Sequence, residues 1–404
     1  MFAVALRKLS VRNALVVGQL AVCLTLLVSA GLFVRAARTA VTMDLGFDTH
    51  RSVVLGVDAG LVGYSELQGR RTMGRLMEQL RAIPGVQSAS FGSQVSYGDE
   101  QDGRPIQRID RAKDVDVVGA SYTSIGAHYF ETLGVPVLGG REFSEAEERS
   151  TSAAPVAIID QPLATRLFGD ASPIGERIRF ARETDSQAAM EIVGVVGGVR
   201  DSLTDVDPAP HVYVPYGQRF MSGQYIHVRV QDGLSAEALL RPVRQIVTNV
   251  DPVLPVLRLK TFDDFRRSSL QVWVFAIGAR VFSIFGVVAL LLAIAGVYGL
   301  KAFVVSRRTR EIAIRLALGA TSRGVLLMIV REGLALTGVG LTAGLVAALG
   351  MSRVLSHLLY GVSATDPIIF GGAIGVLGAA ALIASYLPAR RATKLAPAQA
   401  LRAE

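Results

Sequence analysis

Four long apolar runs frame an otherwise mixed chain. Residues 13–34, 281–300, 333–352 and 367–389 carry no charge and are each long enough to cross a bilayer. With their flanks they predict spans at 13–36, 272–300, 333–352 and 367–389. Trp273 lies at the start of the second, where an interfacial aromatic belongs. Asp366 can cap the fourth span, with Pro367 as its first helical residue. Between the first two runs, residues 37–271 change character. Residues 52–57 alternate like a strand, and 65–82 have helical spacing through Leu67, Met73, Leu76, Met77 and Leu80. Pro84 and Gly85 punctuate, and 86–91 reads as the next strand.

The rest of that segment continues in the same mixed manner. Residues 94–116 are polar and charged, which predicts loops and edge strands. Residues 155–160, 191–199, 212–215 and 225–230 read as strands, and 161–168 as a short helix. The glycines of 191–199 allow close backbone approach or a bulge. Residues 235–250 form an amphipathic helix with Ser235 as cap and Leu239, Leu240, Val243, Ile246 and Val247 inward. A further helix begins at Thr261 and leads to the membrane. The predicted fold is an α-helical membrane protein with four transmembrane helices. An extracytoplasmic α+β domain of two subdomains, one inserted in the other, lies between helices 1 and 2.

Composition supports this frame. The 404 residues are 50% hydrophobic with a mean hydropathy of +0.40, high for a soluble protein. The formal net charge is +8. Much of the excess sits beside apolar runs, which indicates topology and not nucleic-acid binding. Residues 1–12 and 390–404 are basic and are placed in the cytoplasm. A cleaved signal peptide is disfavoured because the first apolar run exceeds the usual signal core. Arg35 and Arg38 dissent locally from the orientation, but long external domains translocate largely regardless of charge. The sole cysteine, Cys23, lies in an apolar run and is read as lipid- or helix-facing. Arg280 is expected to snorkel or to stand on a helix that rises above the membrane.

Residues 301–332 form the most basic loop between spans. Across 307–332, Arg307, Arg308, Arg310, Arg315, Arg323 and Arg331 face only Glu311 and Glu332. Such a loop belongs on the cytoplasmic side. Residues 310–318 are rich in helix formers. Glu311 and Arg315 stand four apart in the favourable order. Ile312 and Leu316 make a stripe, with Ile314 and Leu318 beside it. Gly319 suits a helix C′ position. Thr321 or Ser322 then caps a helix that runs into the third span. A short amphipathic helix joined rigidly to a membrane helix is a lever. An ordinary basic loop lying on anionic headgroups is the bland alternative.

No catalytic constellation is visible. His50, His128, His211, His227 and His357 are scattered, and no HExxH, CxxC or GxSxG pattern occurs. Asp205 and Asp207 form an acidic turn, read as solvated. No Gly-Lys dipeptide exists, so no phosphate-cradling GxxxxGK loop is present. Small residues recur four apart at Ala295 and Gly299, Gly340 and Gly344, and Gly371 and Gly375. These pairs permit close helix packing within a subunit or across a dimer.

REIAIRLALGAT, residues 310–321, resembles the signature of the FtsX-like permease domain of MacB-type ABC transporters. YFETLGVPVLGGREF, IGERIRF, EIVGVVGGVRD and DPVLPV resemble the MacB-type periplasmic core domain. LRKLSVRNALVVGQLAVCLTLLVSAGLF looks like the family's first span, and YGVSATDP and YLPARRATKLAPAQALRAE its C-terminal half. The likeness is strongest to one half, the C-terminal half, of large duplicated permeases. The resemblance implies a permease subunit of the bacterial inner membrane with no enzymatic activity and no cofactor of its own. Its implied partners are a separate cytoplasmic ABC ATPase subunit and a second permease half, as homodimer or sister half. The lipid membrane and a periplasmic adaptor are further partners. The ATPase contact is expected at Arg308, Arg310, Glu311, Arg315, Gly319 and Ala320. The alternative is a non-transport scaffold or sensor that binds a partner through its external domain.

Overall fold

The structure, a computed structural model, describes the chain apart from residues 1–10, 44, 49–50, 97–101, 110–116, 182–188, 201–206, 319, 357–362, 364 and 394–404. Expectations for Asp205, Gly319, His50, His357 and much of 94–116, 353–366 and both termini therefore lie outside the described residues. The chain divides into one unit of residues 1–40 and 274–404 and another of 41–273.

The elements, in order, start with α1 Val11–Thr42, β1 Ser52–Asp58, α2 Glu66–Arg81 and β2 Val86–Gly92. Next come β3 Gly103–Arg108, β4 Val118–Ile125, α3 Tyr129–Leu133, β5 Val137–Gly140, α4 Glu145–Arg149, β6 Val156–Asp160 and α5 Gln161–Phe168. Then follow β7 Arg177–Phe180, β8 Met190–Val196, β9 His211–Pro215, β10 Gly223–Val230, α6 Glu237–Val250, β11 Val256–Thr261 and α7 Phe262–Arg267. The last four are α8 Leu270–Arg307, α9 Thr309–Ala317, α10 Ser322–Ser356 and α11 Pro367–Thr393.

In the 41–273 unit, β11, β1, β10 and β2 form an antiparallel run. Sequence alternation misleads at β1, where Ser52 to Val57 are all buried. Helices α2 and α6 share one apolar core with these strands. Ser65 and Gln68 close a capping box on α2, whose buried Met73, Leu76, Met77 and Leu80 each contribute about 2 kcal/mol by burial. Leu67 is a correction, since it is 59% exposed. So is Ser235, because the N-cap of α6 is Ala236 and the Ser235 hydroxyl bonds Glu237 instead. Leu239, Val243 and Val247 are buried as the spacing requires, with Leu240 and Ile246 half-buried against the same core.

After β2 the chain leaves this run and returns with β10. Between them, β4, β3, β7, β8, β6 and β9 pair in a closed ring, sealed by the parallel β4–β9 ladder. A second core fills it, with Tyr122, Ile159, Leu163, Ile192 and Val212. One residue pair, Gly92 with Ile125, links β2 to β4. The glycines after Glu191 do what their spacing suggested. A Cβ on Gly194 would lie 2.4 Å from the Arg141 carbonyl oxygen, and one on Gly198 2.7 Å from Pro208.

In the other unit, α1, α8, α10 and α11 are each long and apolar enough to cross a membrane. Helix α1 buries Leu20, Cys23, Leu24, Val28 and Leu32. Cys23 thus faces helices. Phe33 stacks on Phe282 of α8 with centroids 5.0 Å apart. Much of α8 instead exposes large apolar residues, Ile284 at 63% and Leu291 at 61% among them. Such surface needs lipid or a partner.

Candidate functional site

The candidate site spans the end of α8, all of α9 and the start of α10. The backbone barely breaks between α8 and α9. Arg308 donates its amide to Val304 and Val305, while its carbonyl accepts from Ile312 at 2.9 Å. The Thr309 hydroxyl donates to the Ser306 and Val305 carbonyls at 2.9 and 3.1 Å. At the other end the Ala320 amide reaches back to the Arg315 carbonyl at 2.9 Å. Thr321, not Ser322, caps α10, its hydroxyl accepting from the Gly324 amide at 3.2 Å.

Glu311 and Arg315 pair at 2.6 Å along α9. Arg315 also points a guanidinium N–H at the Met328 sulfur, 2.9 Å away. Arg308 meets Glu332 at 3.5 Å, which joins the α8–α9 junction to α10. Ile312 is buried with Val325, Ile329 and Ala389. Ile314 and Leu318, by contrast, are 45% and 81% exposed. The short helix therefore has one face packed on α10 and α11 and another left open. Arg310 lies on α9, and Ala320 is exposed in the turn that follows.

Several residues at this end were not singled out by sequence. Lys301 is 4% exposed although it sits one position past an uncharged run. It shares a notch with Ser385: a Cβ on Gly333 would meet Lys301 Cε at 3.0 Å and Ser385 Oγ at 2.7 Å. A buried cation within a spanning helix marks a site worth testing. The only sequence signal was its position at the edge of the run. Arg35, which dissented from the topology, contacts the buried Asp366. Asp366 also caps α11 as expected, accepting from the Ile368 amide at 2.9 Å. Arg280 is exposed.

The small-residue pairs separate into two kinds. Cβ atoms on Gly340 and Gly344 would lie 2.8 Å from Leu20 and 2.9 Å from the Ala21 Cα, so this pair admits α1. Among the described residues nothing lies within 4 Å of the corresponding positions on Gly299, Gly371 and Gly375, and Ala295 is exposed.

Residues 14–246 match the MacB-like periplasmic core domain, and residues 283–397 match the FtsX-like permease C-terminal domain. The chain belongs to the MacB/FtsX-like permease family. It is a membrane protein whose strand-bearing segment is a periplasmic-type domain, and its general role is that of a permease component. The pyoverdine export ATP-binding/permease protein PvdT of Pseudomonas savastanoi pv. phaseolicola is 29% identical over 69% of this chain and 42% of the relative. The macrolide export ATP-binding/permease protein MacB of Burkholderia pseudomallei is 27% identical over 72% and 44%. PvdT of Pseudomonas fluorescens is 26% identical over 94% and 57%. The chain thus spans about half the length of these relatives. The periplasmic region of MacB from Actinobacillus actinomycetemcomitans aligns with a TM-score of 0.37 and 13% identity, over 56% of this chain and 96% of that one.

Proposed function

We propose that this permease is the transmembrane subunit of an ABC-type transporter that takes ATP-driven motion from a separate ATPase subunit. It passes that motion to its extracytoplasmic domain for export or envelope substrate handling. The observation that carries the reading is the fastening of α9. Its first end runs almost without a break into α8, a short turn joins its last residues to α10, and Ile312 is buried against α10 and α11. A push on its open face, where Ile314 and Leu318 are exposed, displaces whole spans and not a loop.

In this reading residues 301–332 and both termini are cytoplasmic, and Arg308, Arg310, Glu311, Arg315, Gly319 and Ala320 contact the ATPase. The nucleotide is held there, and this chain needs no cofactor. The two cores of the 41–273 unit are two subdomains, with the strand ring inserted after β2. A second permease half completes the transporter, as homodimer or sister half.

The test reverses one ion pair. Glu311→Lys with Arg315→Glu keeps an opposite-charge pair on α9, so the helix is retained, but it inverts the charges a partner meets. ATPase capture in mild detergent and stimulated hydrolysis are expected to fall roughly tenfold or more. Undiminished capture and stimulation in the double variant would sink the assignment. Failure of the unaltered chain to capture any ATPase from its native membrane favours the scaffold reading.

A further inference from the structure

Beside α9 lies an open groove of about 670 Å³, bordered by Arg308, Leu327, Met328, Arg331, Glu332 and Ala335. Its chemistry is divided. Leu327 is 59% and Met328 39% exposed, and with Ala335 they give an apolar wall. Arg308 and Arg331 supply two guanidinium groups at the polar side. Glu332, the single carboxylate among these residues, is already matched by Arg308 at 3.5 Å. Arg331 is exposed and forms no ion pair or hydrogen bond among the described residues. The groove therefore keeps one uncompensated planar cation beside exposed hydrocarbon.

This groove sits on α10 just where its apolar run, residues 333–352, begins. We infer that it binds one anionic phospholipid, with the phosphate on Arg331 and an acyl chain along Leu327, Met328 and Ala335. The inference rests on the cytoplasmic placement of residues 301–332 given above. Three features select this occupant. A guanidinium offers a planar fork of N–H donors that fits phosphate oxygens two at a time. The net positive border complements an anionic headgroup and disfavours a zwitterionic one with its own ammonium. The apolar wall continues into a span, so a lipid can be anchored in the bilayer while its head is held. A soluble phosphate would leave that wall bare.

The experiment uses the full chain purified in mild detergent and mixed with equal amounts of phosphatidylglycerol and phosphatidylcholine. Native mass spectrometry counts the lipid retained. Preferential retention of one phosphatidylglycerol is expected, and it should weaken as salt rises. Arg331→Gln should lower that retention roughly tenfold, the worth of one charged hydrogen-bonded contact. Leu327→Asn should lower it independently of charge. Arg280→Gln, an exposed arginine elsewhere on α8, should leave it unchanged. Equal retention of both lipids overturns the proposal, as does an Arg331→Gln profile identical to the unaltered chain. Retention of inorganic phosphate alone at the same level assigns the groove to a free anion and also overturns it. ATPase capture by Arg331→Gln separates the two readings. Intact capture with lost lipid confirms the lipid site, whereas lost capture with intact lipid places the ATPase on Arg331 and overturns it.

Discussion

His227 shows how far one side chain departs from what its neighbours in sequence imply. It lies on β10 among alternating residues, yet at 2% exposure both ring nitrogens are buried without a hydrogen-bond partner among the described residues. The rings of Tyr129 and Phe262 stand 5.9 and 6.3 Å from it. Burial pushes its pKa down to about 4. An unfolded histidine titrates near 6.5. Between those values the unfolded chain holds the proton and the folded chain does not. Stability therefore falls as pH drops through this window, by about 1.4 kcal/mol per unit and roughly 3 kcal/mol in all. Glu147 acts elsewhere. Arg141 and Ser144 hold it down to about 2, so its stabilisation is full above the ordinary carboxylate range and is lost mainly below pH 4. His227→Phe should flatten the histidine slope between pH 6.5 and 4. Thermal unfolding of the full chain in detergent across that range checks it, and parallel slopes for the two proteins would refute the account.

At the scale of elements, the spacing of small residues was legible but their roles were not. Three glycine or alanine pairs look alike in sequence. Among the described residues, only Gly340 and Gly344 of these receive another helix, because α1 places Leu20, Ala21 and Leu24 against them. Gly344→Leu should therefore disrupt the bundle, since the nearest obstruction is the Ala21 Cα and cannot move aside cheaply. Gly375→Leu should leave the chain's own fold intact. Gel filtration and protease resistance of the two variants in detergent check this, and a well-folded Gly344→Leu protein would contradict it. Caps were read more securely, because each is a bond between residues two or three apart. Asp366 and Thr321 behave as their local sequence demanded. Ser235 does not, since its hydroxyl is taken up by Glu237.

Across the whole molecule, the two ends of the 41–273 unit are tied together. Arg266 of α7, 6% exposed, donates to the Met43 carbonyl at 2.8 Å, and Phe47 packs edge-on against Phe262 at 5.2 Å. The segment that follows α1 and the segment that precedes α8 are thus one junction. Arg266→Ala leaves the Met43 carbonyl without that donor and should cost about 1–3 kcal/mol. Urea unfolding of the full chain in detergent measures the loss, and an unchanged midpoint would show that the tie is idle.

Sequence alone determined the features whose causes are local. Uncharged runs of sufficient length define the four spanning helices, since backbone groups in lipid must be bonded within the helix. The Glu311–Arg315 pair and the caps at Asp366 and Thr321 also follow from nearby residues. Tertiary structure decided everything that depends on a partner far along the chain. It buried both faces of β1, closed six strands into a ring through the β4–β9 ladder, and turned Leu67 outward. It also enclosed Lys301, gave Arg35 its carboxylate in Asp366 and left Arg331 facing an open groove. The reason is that a residue's periodicity states which side of its own element it occupies. What covers that side depends on elements brought together only by folding.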